Sequence, residues 1–199
     1  PRPALEAVRA RRSWAKVPDA SPTRAELEQI VRAAAGRPAP DDTAPWRLIA
    51  TTRTHAPQLA AALSGLRSLP DVGDGSAPLK GKQLRRLAAF RGSLAFAMRG
   101  GMALALVFRP AEDAQLSRKR QRMEALAAHT VLEAALCGVG WGVQWAPRES
   151  PDQEVLHDFY GLQEREEILG WLFVGRVPAA EAREAAAGPK PQTPLEFLD

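Results

Sequence analysis

The feature that most constrains this chain is the stretch from Met102 to Phe108, an unbroken apolar run bounded by Gly100-Gly101 and Pro110. Neither of its faces is polar, so it reads as a buried strand rather than one with a solvated side. The other runs fall around it as alternating helices and strands. Leu5 and Val8 sit at helical spacing in a short helix that runs up to Arg11-Arg12-Ser13. Thr23 with Glu26 forms a capping box, and Leu27, Ile30, Val31 and Ala34 recur at i, i+3, i+4, i+7 until Gly36 and Pro38 stop the helix. Residues 37–45 hold three prolines and two aspartates and read as a loop, with Trp46 to Thr52 following as a strand.

Helices are expected over 59–66 and 80–90, separated by a Pro/Gly/Asp/Ser-rich stretch at 69–79. A long helix is expected from about Leu116 to Cys137, central to the domain, with an apolar stripe through Met123, Leu126, Ala127, Val131, Ala134 and Ala135. Gly138, Gly140 and Gly142 turn the chain into a short segment, Val143 to Trp145, then a helix from about Pro151 to Tyr160 and a last strand from Ile168 to Val177. An alanine-rich stretch and a proline-rich tail ending in Leu195, Phe197 and Leu198 follow. Such apolar ends gain free energy only by docking on a surface, of which a second subunit is one.

A chain of 199 residues with 45% hydrophobic content fits one domain, or one domain with an arm. At this size folding buries roughly 70% of the unfolded chain's surface, so neither disulfides nor a structural metal are needed. The single Cys137 cannot pair within the chain, which points to a reducing cytoplasm. No apolar run reaches the ~20 residues of a membrane span, and the Pro-Arg-Pro-Ala-Leu-Glu start has no signal-peptide core. The net charge of +4 is spread along the chain. Its densest basic stretch, Arg118, Lys119, Arg120 and Arg122, reads as a solvated helix start in preference to a nucleic-acid patch.

His55, His129 and His157 lack ligand spacing, so no metal site is expected. Gly138-Val-Gly140-Trp-Gly142 has the wrong spacing for a dinucleotide fingerprint and follows a helix, so it reads as a helix end and tight turn. Most of the tryptophans at 14, 46, 141, 145 and 171 are expected in core or interface. Arg11-Arg12-Ser13 has the donors of a phosphate site: two permanently charged guanidiniums beside a hydroxyl. Taken alone, the same triplet also suits a solvated pair of arginines.

The order of segments decides between them. Arg11-Arg12-Ser13 precedes a capped helix, then Ala39-Pro40-Asp41-Asp42 runs into Pro45-Trp46. Gly138-Val-Gly-Trp-Gly-Val-Gln-Trp145-Ala-Pro-Arg, the segment Ile168 to Pro178 and the tail Pro189-Lys-Pro-Gln-Thr-Pro194 follow. This succession is similar to the nitroreductase family, in particular its small single-domain branch, and covers nearly the whole chain.

The resemblance implies an α+β fold: a three-layer α-β-α sandwich with a mostly antiparallel central sheet, in an arm-exchanged homodimer. Residues 1–178 would form the FMN-binding domain and residues 179–199 an arm docked on the partner subunit. Arg11, Arg12 and Ser13 would bind the FMN phosphate and ribityl region. Trp145, Ala146 and Pro147 would lie along the isoalloxazine, and Asp42 would reach it across the interface. The implied activity is transfer of hydride from NAD(P)H through FMN to a nitroaromatic or quinone-like acceptor, with the chemistry carried by the flavin and no catalytic side chain.

The chain departs from the family on one side. Its 40–45 loop is two residues shorter, Asp42 stands where the family has a histidine, and a polar flavin contact falls on Ala44. Asp42 then either faces the flavin or caps its own loop. The alternative function is a non-catalytic flavin- or ligand-binding protein on the same dimeric scaffold.

Overall fold

The computed structural model describes residues 8, 11–17, 20–36, 44–71, 81–112, 116–149 and 154–186. Four strands, β1 (Trp46–Thr52), β2 (Met102–Phe108), β3 (Gly142–Pro147) and β4 (Glu167–Gly175), form one antiparallel sheet in the order β1-β2-β4-β3. Six helices accompany them among the described residues: α1 (Arg24–Ala34), α2 (Ala56–Leu63), α3 (Lys82–Ala97), α4 (Arg118–Gly138), α5 (Glu154–Tyr160) and α6 (Ala179–Ala186).

Every residue of β2 is buried, as its apolar run requires. The pleat divides them between two cores. Ala103, Ala105 and Val107, with Trp171 and Phe173 of β4, pack against Leu59 and Ala60 of α2, Phe96 of α3, and Leu156 and Tyr160 of α5. Met102, Leu104, Leu106 and Phe108, with Leu172 and Val174, pack against Ile30 of α1 and Ala125, Leu132 and Leu136 of α4. The sheet is therefore the middle of three layers, and the expected α-β-α sandwich is the observed architecture.

Local chemistry explains several boundaries. The Thr23–Glu26 capping box starts α1 as expected, and Gly36 leaves it at φ +71°. Ser117 caps α4 by accepting from the Arg120 N–H. Gly140, at φ +90°, makes the turn after α4, where the Trp141 N–H returns to the Leu136 carbonyl at 3.0 Å. That confirms the helix-end reading of the glycine cluster.

Other boundaries moved. α2 starts at Ala56, three residues before the expected 59, because a 3₁₀ turn at Arg53–His55 leads into it and Pro57 stands in its first turn. α3 continues through Gly92 to Ala97 instead of ending at Phe90. A glycine inside a helix costs about 1 kcal/mol, less than is gained by packing Leu94 and Phe96 into the core. Of the stretch expected at 69–79, residues 72–79 lie outside the described residues, as do Leu5 of the first helix and the tail beyond residue 186.

The stripe assigned to α4 needs correction. Met123, Leu126 and Val131 are 64%, 36% and 50% exposed, while Gln121, Ala125, Leu132, Glu133, Leu136 and Cys137 are buried. α4 is central, touching α1, β2, β3 and β4, but it is apolar on more than one side. Periodicity alone cannot choose which apolar side turns inward.

Candidate functional site

The chain enters the site through residues 11–17, which run along the sheet instead of standing clear of it. Val8 is helical and its carbonyl accepts from the Arg11 N–H at 3.3 Å, while the rest of the helix expected before the triplet lies outside the described residues. Ser13 then pairs in parallel with Val143 of the edge strand β3, and the Trp14 N–H donates to the Val143 carbonyl at 3.1 Å. Farther on, the Val17 N–H donates to Arg99 at 2.7 Å and the Gly101 N–H to Val17 at 3.1 Å. A Cβ at Gly101 would lie 1.6 Å from the Ala20 carbonyl oxygen, so this crossing depends on that glycine.

The triplet meets α4 at Glu133. The Ser13 hydroxyl donates to Glu133 Oε1 at 3.2 Å, and Arg11 Nη1 lies 3.6 Å from Oε2. The Arg11 side chain is 41% exposed, the Glu133 side chain 6%. Arg12 is exposed and donates to the Arg11 carbonyl at 2.9 Å. Beneath them Cys137 is buried, and that burial raises its thiol above the ordinary 9.0. A buried thiol with a raised pKa is disfavoured as the reactive thiolate.

The second part of the site is Trp145-Ala146-Pro147, which belongs to β3 and pairs with Gly170 to Leu172 of β4. Trp145 points to the α4 side, its indole stacked on the His129 imidazole at 4.5 Å and 18°. Gly170 makes room for it: a Cβ there would lie 2.5 Å from Trp145 Cη2 and 2.5 Å from the Ala146 oxygen. Ala146 turns to the other core. The two rungs match. His129 and Glu133 are one helical turn apart, ~6 Å along α4, and their partners Trp145 and Ser13 are separated by two residues of β3, ~7 Å.

Trp145, Ala146 and Pro147 also line a cleft of about 520 Å³, a volume within the usual ~300–1,000 Å³ of small-molecule sites. Its far walls are Phe96, Leu156 and Trp171, and Ser93, Arg99, Arg148 and Glu149 bring polar groups to it. The Arg99 guanidinium sits over the Phe96 ring at 4.9 Å. Burial lowers the Arg148 pKa, Glu167 opposing that shift.

The structure thus brings together Arg11, Ser13 and Trp145 through α4 and β3, with Ala146 and Pro147 on the cleft. Asp42 lies outside the described residues. Of the tryptophans, Trp141 and Trp171 are core, and Trp14, Trp46 and Trp145 are half-buried. No cluster of metal-ligating side chains occurs among the described residues. Sequence reasoning missed Glu133, His129 and Arg99. All three are singletons in their segments, and only packing brings them to the triplet or the cleft.

The family model described as the nitroreductase family matches residues 8–176. The chain belongs to the nitroreductase family. YdjA of Escherichia coli (strain K12), a protein assigned by name as an NAD(P)H nitroreductase, is 25% identical over 188 residues, covering 94% of this chain and 95% of that protein. A Bacteroides fragilis nitroreductase solved with bound FMN superposes with a TM-score of 0.65 at 17% identity, covering 98% of each chain. A nitroreductase-like family protein from Bacillus cereus gives 0.64 at 15% identity, covering 98% of this chain and 96% of that one. These structures establish the nitroreductase-like fold. Among the described residues, no helix is long and apolar enough to cross a membrane.

Proposed function

We propose that this protein is an FMN-dependent oxidoreductase that transfers hydride from NAD(P)H through flavin to nitroaromatic or quinone-like acceptors. The observation that carries this reading is the matched pair of rungs on α4: phosphate-type donors at Arg11 and Ser13, and an aromatic wall at Trp145 one helical turn along. That separation suits a cofactor with a phosphate at one end, a flat ring system at the other and a ribityl chain between.

Arg11 and Arg12 would hold the phosphate with their guanidinium donors. Ser13 would bind the phosphate and ribityl region. Trp145, Ala146 and Pro147 would lie along the isoalloxazine, and the apolar walls of the cleft would exclude water there. Bound in this way, FMN supplies the hydride chemistry, and the protein supplies position and electrostatics. No side chain is assigned a catalytic role.

The same reading includes a homodimer. Met123, Leu126 and Val131 leave an apolar face on α4 that a second copy would cover. Residues 179–199 would then form an arm on the partner, and Asp42 of the partner subunit would reach the flavin. A reducing cytoplasm suits the lone buried Cys137.

The visible absorbance spectrum tests the cofactor: purified protein is expected to be yellow. A colourless preparation that fails to take up added FMN would overturn the reading and its cofactor residues together. Oxidation of NADH or NADPH in the presence of a quinone separates the enzyme from a flavin-binding protein without turnover.

A further inference from the structure

Glu133 is a carboxylate in the middle of α4, 4% exposed, and its partners Arg11 and Ser13 are the groups assigned above to the flavin phosphate. A serine has a single O–H to donate, and Ser13 directs it to Glu133 Oε1 at 3.2 Å. A phosphate oxygen of FMN needs the same hydrogen. The Arg11 guanidinium, 3.6 Å from Oε2, is beyond hydrogen-bond length, so its N–H groups can turn to a phosphate without first breaking a strong bond.

We propose that Glu133 is an internal anion that holds the phosphate donors of the empty protein and thereby sets its affinity for phosphate-bearing over phosphate-free flavin. The inference rests on the FMN reading and adds to it a specificity-determining residue.

Two effects of the carboxylate oppose each other. It steadies Arg11 and Ser13, and it places a negative charge beside a phosphate that carries the same sign. The first effect is small, because the backbone already fixes the segment: Ser13 pairs with Val143, Trp14 bonds to Val143, and Val17 bonds to both Arg99 and Gly101. The second effect is large, because the Glu133 side chain is only 6% exposed, so solvent screens its charge little. Repulsion therefore outweighs positioning, and the site binds phosphate less tightly than its two arginines would on their own.

The test compares FMN and riboflavin, which differ only in the phosphate, by titrating flavin-free protein and following the quenching of flavin fluorescence. Glu133→Gln keeps the volume and an acceptor for Ser13 while removing the charge. Its affinity for FMN is expected to rise at least about tenfold, with riboflavin affinity unchanged within about twofold. Glu133→Met, also charge-free and of similar size, is expected to shift the ratio the same way and serves if the glutamine variant folds poorly.

FMN uptake by the variants but not by the parent protein would overturn the FMN reading, and with it the inference that rests on it. If FMN binds the parent protein and the variants bind it equally or more weakly, or if riboflavin affinity moves as much as FMN affinity, Glu133 does not set phosphate affinity while the FMN reading stands. If neither parent nor variants take up FMN, both fall.

Discussion

Replacing Arg47 by methionine isolates the best-formed buried ion pair among the described residues. Arg47 is the second residue of β1, and its guanidinium grips Glu166 in a bidentate pair, Nε to Oε1 at 2.8 Å and Nη2 to Oε2 at 2.7 Å. The Gln163 N–H adds a third donor to Oε2 at 2.9 Å. The pair ties the first strand of the sheet to the turn that starts β4. The Glu166 side chain is 3% exposed and the Arg47 side chain 34%.

Removing one partner of a buried pair costs about 3–5 kcal/mol, because the other charge stays buried and uncompensated. Water can reach Glu166 through the space of a one-third exposed arginine, so the low end applies: about 3 kcal/mol for R47M, or about 6–12 °C in melting temperature at this chain length. Urea denaturation followed by far-UV circular dichroism at pH 7 measures it. The double variant R47M/E166M is expected to lose less than the sum of the two single variants, by at least about 1.5 kcal/mol.

The pH dependence carries a sign. Burial alone would raise the Glu166 carboxyl, but the Arg47 hydrogen bonds, the Gln163 N–H and the charges of Arg47 and Arg109 hold it below the ordinary 4.5. An acid with a lowered folded pKa stabilises the fold above its unfolded pKa and loses that contribution as pH falls through the folded value. The gap between parent and R47M should therefore be full at neutral pH and narrow below about pH 4.5. A loss under ~1 kcal/mol at pH 7, or a gap that widens in acid, would refute the reasoning.

Gly170→Ala should destabilise by about 1–3 kcal/mol, since its Cβ would overlap the Ala146 oxygen and Trp145 Cη2; calorimetry reads the cost, and an FMN titration reads whether moving the indole also disturbs the flavin wall. Val131→Glu places a charge on the exposed apolar face of α4, and sedimentation should show a dimer in the parent protein and a monomer in the variant; an unchanged dimer would put the interface elsewhere. Cys137 should resist a disulfide thiol reagent in the native protein and react promptly in urea, because burial both shields and raises its thiol. Prompt native labelling would contradict the packing beneath the triplet.

Much of this protein was determined locally, and local signals are what a sequence carries. The all-apolar Met102–Phe108 run specified a strand with no solvated face, the Thr23–Glu26 box specified where α1 begins, and the glycines at 138–142 specified a turn after a helix. The succession of short motifs pointed to the family, whose model matches residues 8–176, although YdjA is only 25% identical. The same succession singled out the Arg11-Arg12-Ser13 triplet and the Trp145 segment as candidates, and the structure adds that Ser13 and Trp145 both meet α4 along β3.

What the sequence left open concerns which groups meet across the fold. α4 is apolar on more than one side, and only the packing of α1 and the sheet against Ala125, Leu132 and Leu136 decided which side is core, leaving Met123 and Val131 in solvent. Gln121, Glu133 and Glu166 look like surface residues in the sequence, yet each is buried beside a partner. Gln121 meets Ala111 and Leu116 nearby, whereas Glu133 meets Ser13 from 120 positions away and Glu166 meets Arg47 from 119. Burying a polar group is tolerable only when such a partner is supplied, and for these two carboxylates the supply depends on how distant segments pack, which no local pattern encodes.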